Sequence, residues 1–169
     1  MPFAPGMYVF PGGGVADEDY AFDDPLRACA VRETFEEVSI AVGKCRLFDR
    51  WITPEIEDRR YDVAFFVADV TESGRLATSE ADHLAWISPQ DALEEHHRGD
   101  LPLLRPTRVV LEDLAAGRVD ESSFPVVPKL PRKKPNGLWD VIDANSGRVI
   151  VTVEDGPTIT ETRGLGGAT

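Results

Sequence analysis

Glu33, Glu36 and Glu37 are the residues of this chain whose type and spacing most directly suggest chemistry. They stand in Arg32-Glu33-Thr34-Phe35-Glu36-Glu37, and a helix turning about 100° per residue gathers the three carboxylates within roughly 100° of arc. Val31, Phe35 and Val38 fall on the other side, giving the same helix a face to bury. Carboxylates three and four positions apart destabilise a bare helix by a few tenths of a kcal/mol per pair, about 0.2–0.5. A divalent cation removes that cost, and Mg²⁺ takes hard oxygen donors of this kind together with water and phosphate oxygens. The plain alternative is a solvated acidic helix face. Upstream, Phe10-Pro11-Gly12-Gly13 supplies backbone that can approach a ligand closely, leaving a carbonyl free to join a metal's shell.

The elements that must position these groups follow from capping and periodicity. Asp24-Pro25 reads as an N-cap and first helical position, with a helix running to about Val38. Residues 7–10 read as a short strand entering the glycine loop, residues 44–52 and 61–70 as strands, and 84–87 as another short one. Ser88-Pro89 opens a helix ending near Gly99. A further helix follows Pro106 to about Gly117, with Val109, Val110, Leu111 and Leu114 as its buried side. These elements make residues 1–118 one domain. Residues 119–137 carry Pro125, Pro128, Pro131 and Pro135, which forbid a long helix, and read as a linker. Residues 138–155 read as a β-hairpin turning at Ala144-Asn145-Ser146-Gly147, and 156–169 as a flexible tail. The fold class is α+β with a mixed sheet. Trp51, Trp86 and Trp139 read as core, and His96 and His97 as solvated helix residues.

Composition narrows the partners. At 169 residues, 42% hydrophobic and 28% charged, the chain has the balance of a soluble domain with a real core. Its net charge of −12 lies almost wholly before residue 119 and repels duplex nucleic acid. The one basic run, Arg132-Lys133-Lys134, reads as solvated linker. No stretch is long and apolar enough for a membrane span, and no export signal opens the sequence. Cys29 and Cys45 form no disulfide framework or metal motif, so the expected setting is the cytoplasm.

With these motifs in view, the chain resembles a Nudix hydrolase. That family's box is G-x5-E-x7-R-E-U-x-E-E-x-G-U, with U a bulky apolar residue. Gly13 matches its first glycine, and Arg32-Glu33-Thr34-Phe35-Glu36-Glu37-Val38-Ser39-Ile40 matches its last part. The resemblance spans about residues 3–117. Eighteen residues separate Gly13 from Arg32 where the box has thirteen, so the box's first Glu corresponds to Asp19 counted forward or Asp24 counted back. Ser39 stands for the final glycine, and Thr34 for a larger aliphatic residue. The Nudix sheet usually has strands before the box, and few residues precede it here. The domain therefore reads as N-terminally short, either starting late, the favoured reading, or with the 138–154 hairpin replacing strands. A sheet so shortened leaves an apolar edge that favours self-association as a homodimer.

The resemblance implies an α/β/α sandwich-like Nudix fold and a hydrolase of nucleoside diphosphates linked to another moiety. Glu33, Glu36 and Glu37, with the Gly12 carbonyl, would hold Mg²⁺ or Mn²⁺, Glu33 serving catalysis as well. Gly13 and Arg32 would be structural in the motif. Several Nudix enzymes place a general base where Glu80 lies, with Asp82 and Glu57 as competitors here. Arg59-Arg60 would pair with substrate phosphate. The enlarged loop, W-x-x-P and Arg59-Arg60-Tyr61-Asp62 are similar to the coenzyme A diphosphatase-like branch, which cuts coenzyme A or its acyl derivatives. ADP-ribose or NADH is the competing substrate. A catalytically weak Nudix-like nucleotide-binding module and a protein-interaction domain are the readings of other classes.

Overall fold

The computed structural model describes residues 6–79, 81–118 and 126–154. Helix α1, Pro25–Val38, starts as its sequence dictates: the Asp24 carboxylate accepts from the Arg27 N–H at 3.1 Å, and Pro25 takes the first turn. It ends at Ser39, whose φ of 57° is left-handed and whose N–H reaches the Phe35 carbonyl. The serine thus makes the turn for which the family box keeps a glycine. Helix α2, Pro89–Arg98, is capped by the Ser88 hydroxyl and closed by Gly99 at φ 86°. Helix α3, Arg105–Ala115, packs against α2 around Ala92, Leu101, Leu103 and Leu111. None of the described helices is long and apolar enough to cross a membrane.

Five strands form one mixed sheet: β1 Cys45–Ile52, β2 Asp62–Ala68, β3 Lys129–Lys133, β4 Trp139–Asp143 and β5 Val149–Val153. Their spatial order is β2-β1-β3-β4-β5. β1 and β2 run antiparallel from Cys45↔Ala68 to Ile52↔Asp62, with an irregularity between Leu47 and Asp49. β1 meets β3 in parallel at Trp51↔Lys129, and β3, β4 and β5 continue antiparallel. The α+β class with a mixed sheet is therefore what the chain adopts.

Several expectations are corrected. Residues 129–133, expected in a linker, form β3, and the expected hairpin is the rest of a meander completing the sheet. Prolines exclude a helix but not a strand whose N–H groups are partly unused. The bonds flanking β3 alternate so that Pro131's missing N–H faces away from β4, where the ladder to β1 has already ended. The basic run is likewise no free linker: Arg132 and Lys133 belong to β3, and Lys133 lies over Trp139.

Residues 7–10 make no strand among the described residues beyond a single bridge, Tyr8↔Leu103, and 84–87 make none. Of the expected face of α1, Val38 is buried and Val31 half-buried, but Phe35 is 58% exposed; Cys29 is the other buried residue of the helix. Trp51 and Trp139 are core, but Trp86 is 61% exposed. His96 is half-buried and bonds the Leu101 carbonyl. Residues 119–125 and the expected tail lie outside the described residues.

Candidate active site

Arg32 organises the site. Rising from α1, its guanidinium forms a two-point pair with Asp19, Nε to Oδ1 at 3.1 Å and Nη2 to Oδ2 at 2.9 Å. Asp19 sits in a 3₁₀ turn, Asp17–Ala21, is 2% exposed, and also accepts from the Ala16 N–H. The bonds from Arg32, then that from Ala16, hold the Asp19 carboxyl below the ordinary aspartate range. Hydrogen bonding to Asp19 in turn keeps Arg32 charged well above its usual range. The structure thereby decides between the two candidates for the first acidic position of the box: Asp19 meets Arg32, whereas Asp24 is spent as the helix cap.

The same guanidinium reaches the glutamates and the glycine loop. Nη1 donates to Glu33 at 2.9 Å and to Glu36 at 3.1 Å, and Nη2 donates to the Gly14 carbonyl at 3.1 Å. The Gly12 N–H donates to Glu37 Oε2 at 3.0 Å. Gly13 lies directly against Glu33: a Cβ there would come within 2.3 Å of Oε1. Only glycine leaves that carboxylate its place. Cys29, buried in α1, donates to the Gly13 carbonyl at 3.6 Å, and burial pushes its thiol pKa up. Helix and loop are thus tied at four points, and one cation faces a surplus of carboxylates.

The donor set is all oxygen, carboxylate and backbone carbonyl, and fits a hard divalent ion. Glu33 and Glu36 turn toward Arg32 and Glu37 toward Gly12, so among the described residues no three acidic side chains converge on one point. Glu36, about half exposed, is free to turn outward.

Other expected site residues are placed elsewhere. Arg60 Nε donates to the Thr53 carbonyl at 3.2 Å, and the Tyr61 N–H to the Thr53 hydroxyl, so Arg60 braces the turn between β1 and β2. Arg59 is exposed on that turn, and Glu57 is half-buried there. Asp82 is exposed, and Glu80 lies outside the described residues.

Two features escape a reading of the sequence. Asp49, 3% exposed on β1, accepts from Lys129 Nζ at 2.6 Å and from Trp51 Nε1 at 2.8 Å, locking β1 to β3. A lone acidic residue between the apolar pairs Leu47-Phe48 and Trp51-Ile52 of the strand was its only signal. The other is a cleft of about 560 Å³ beside Tyr8, His83 and Trp86. Nothing in the sequence marked it, since Trp86 lies within the apolar run Leu84-Ala85-Trp86-Ile87, which reads as a strand.

Comparison with known proteins agrees with this geometry. Residues 2–106 match the family model of the NUDIX domain. A Caenorhabditis elegans protein, "Putative nudix hydrolase 7", is 27% identical over 143 residues, covering 62% of this chain. The match spans 48% of that relative, about half its length. The crystal structure of the MutT mutator protein of Bacillus halodurans superposes with a TM-score of 0.54 at 16% identity, covering 87% of this chain and 81% of that one, and so shares the fold. With more than half of its residues matched by the family model, and the box's arginine, glutamates and glycine in mutual contact, the chain belongs to the Nudix family.

Proposed function

We propose that this protein is a divalent-metal-dependent hydrolase that cuts the diphosphate of a nucleoside diphosphate linked to a second moiety. The observation that carries this is the contact of the acidic helix face with the Gly12–Gly14 backbone, Glu33 and Glu36 through Arg32 and Glu37 directly through the Gly12 N–H. Glu33, Glu36 and Glu37, with the Gly12 carbonyl, would hold Mg²⁺ or Mn²⁺. Such an ion withdraws charge from the diphosphate oxygens and acidifies water. Arg32, saturated by five protein acceptors, orients Glu33 and Glu36 and does not bind substrate. Water attacks one phosphorus, the bridging P–O bond breaks, and the water's proton passes to a carboxylate. We assign that role to Glu80 from its place in the sequence and the family resemblance.

Coenzyme A or an acyl-coenzyme A is the finer substrate reading. It is supported by the likeness of residues 10–13 and 59–62 to that branch, with exposed Arg59 available for the extra phosphate. A second reading, ADP-ribose or NADH, is favoured by Arg60's commitment to Thr53, which leaves one free guanidinium on that turn. Comparing kcat/KM for coenzyme A, dephospho-coenzyme A and ADP-ribose with Mg²⁺ decides between them. A tenfold preference for coenzyme A, about 1.4 kcal/mol, is expected on the first reading. A preference for ADP-ribose discards it, and no turnover of any diphosphate discards the enzyme reading.

A further inference from the structure

The cleft beside Tyr8 has fixed walls. Tyr8 is held by its N–H to the Pro102 carbonyl at 2.9 Å and meets the His83 ring edge-on at 6.1 Å. Trp86 is pinned by its indole N–H to the Ser73 carbonyl, yet 61% of its surface is open. Leu101, from the core between α2 and α3, also lines it. An aromatic ring held in place with an open face is a platform for a planar ligand.

The polar lining limits what that ligand is. Asp91, Glu94 and Glu95 line the cleft from α2 against one cation, Arg98, which is paired with Asp100 at 3.1 Å. Asp91 is engaged with the Ser88 hydroxyl. Glu94 and Glu95 have no side-chain partner among the described residues. A lining of this sign repels phosphate and accepts hydrogen bonds from a neutral donor. Tyr8 is four residues from Gly12, at most about 14 Å of extended chain. That is comparable with the reach of a nucleoside diphosphate from base to outer phosphorus.

We infer that this cleft receives the base of the nucleotide, and that the base is an aminopurine stacked on Trp86 with its exocyclic amino group donated to Glu94 or Glu95. The link to substrate rests on the diphosphatase reading; the base site itself does not need it. It selects by the amino group, which gives Glu94 or Glu95 a hydrogen-bond donor that the unsubstituted ring edge lacks.

The test uses the whole chain without metal. Trp51 and Trp139 are 4% and 5% exposed, so a nucleoside reaching tryptophan acts on Trp86. Titration with adenosine should give saturable quenching and a blue shift. Purine riboside, which lacks only the 6-amino group, should bind about tenfold more weakly. The double variant Glu94→Ala/Glu95→Ala, on a surface where alanine favours helix, should reduce that preference to less than twofold. Quenching by adenosine that does not saturate, or equal binding of the two nucleosides by the parent protein, overturns the inference without any variant. Diphosphate hydrolysis with Mg²⁺ is read separately. Turnover with indifferent nucleoside binding fails this inference alone, and selective adenosine binding without turnover supports it while failing the diphosphatase reading.

Discussion

Replacing Gly13 with alanine puts a methyl group where the Glu33 carboxylate now lies. The new Cβ would stand 2.3 Å from Oε1, 2.4 Å from Cδ and 2.7 Å from Oε2, whereas ordinary contact begins at 3.4 Å. The carboxylate must move by about 1 Å, and it can, being the far end of a flexible side chain; a misplacement of that size at a reacting centre costs on the order of 10²-fold. Gly13 is not among the glycines with positive φ, so alanine fits the backbone and reduces unfolded-state entropy by about 0.4–1 kcal/mol. That offsets the roughly 1 kcal/mol carried by the Arg32–Glu33 bond. The melting temperature should therefore stay within about 4 °C of the parent. Diphosphate hydrolysis at limiting Mg²⁺ should fall about 100-fold, or about 2.7 kcal/mol of transition-state stabilisation. Gly14→Ala, whose Cβ would meet nothing within 4 Å, is the control and should behave as the parent. Full turnover by a folded Gly13→Ala protein would refute the placement of Glu33 at the reacting centre.

Glu36→Gln and Glu37→Gln should each weaken Mg²⁺ activation and turnover with the fold unchanged or slightly stabilised, since like-charge repulsion falls; full activity of either at limiting metal removes that residue from the ligand set. Lys129→Ala leaves Asp49 buried without its cation and should cost about 3 kcal/mol, lowering the melting temperature by roughly 10 °C; a shift under about 2 °C would show that the β1–β3 lock is not needed. Because Arg32 depresses the Asp19 carboxyl, its contribution to stability is present above the ordinary aspartate value of about 3.9 and is lost as pH falls through the lowered folded value. Urea midpoints measured from neutral to strongly acid pH should fall less steeply for Asp19→Asn, and parallel slopes would contradict this.

The parts of the fold legible in the sequence are those that rest on local chemistry. Asp24-Pro25, Ser88-Pro89 and Gly99 mark helix ends because capping satisfies backbone groups within one turn. The three-and-four spacing of the glutamates fixed their common face for the same reason: a helix's angular repeat is independent of its surroundings. The strands at 45–52 and 62–68 were readable as short apolar-rich runs, the second from the alternation of Val63, Phe65 and Val67. The exposure of Phe35 was not, because periodicity gives relative angles between side chains but not which way the helix is rolled on the sheet.

Sequence by itself thus determined the family box, the acidic face, the helix caps and the mixed α+β order. Tertiary structure alone decided which aspartate serves Arg32, since a five-residue expansion of the loop leaves two registers equally acceptable until the chain folds back and buries Asp19 against α1. It also decided that residues 129–133 are sheet rather than linker, because a proline's missing N–H is harmless or disruptive according to which neighbour it faces. The open face of Trp86 was settled in the same way: burial depends on what packs above a residue, and contacts between positions far apart in the chain leave no periodic mark in it.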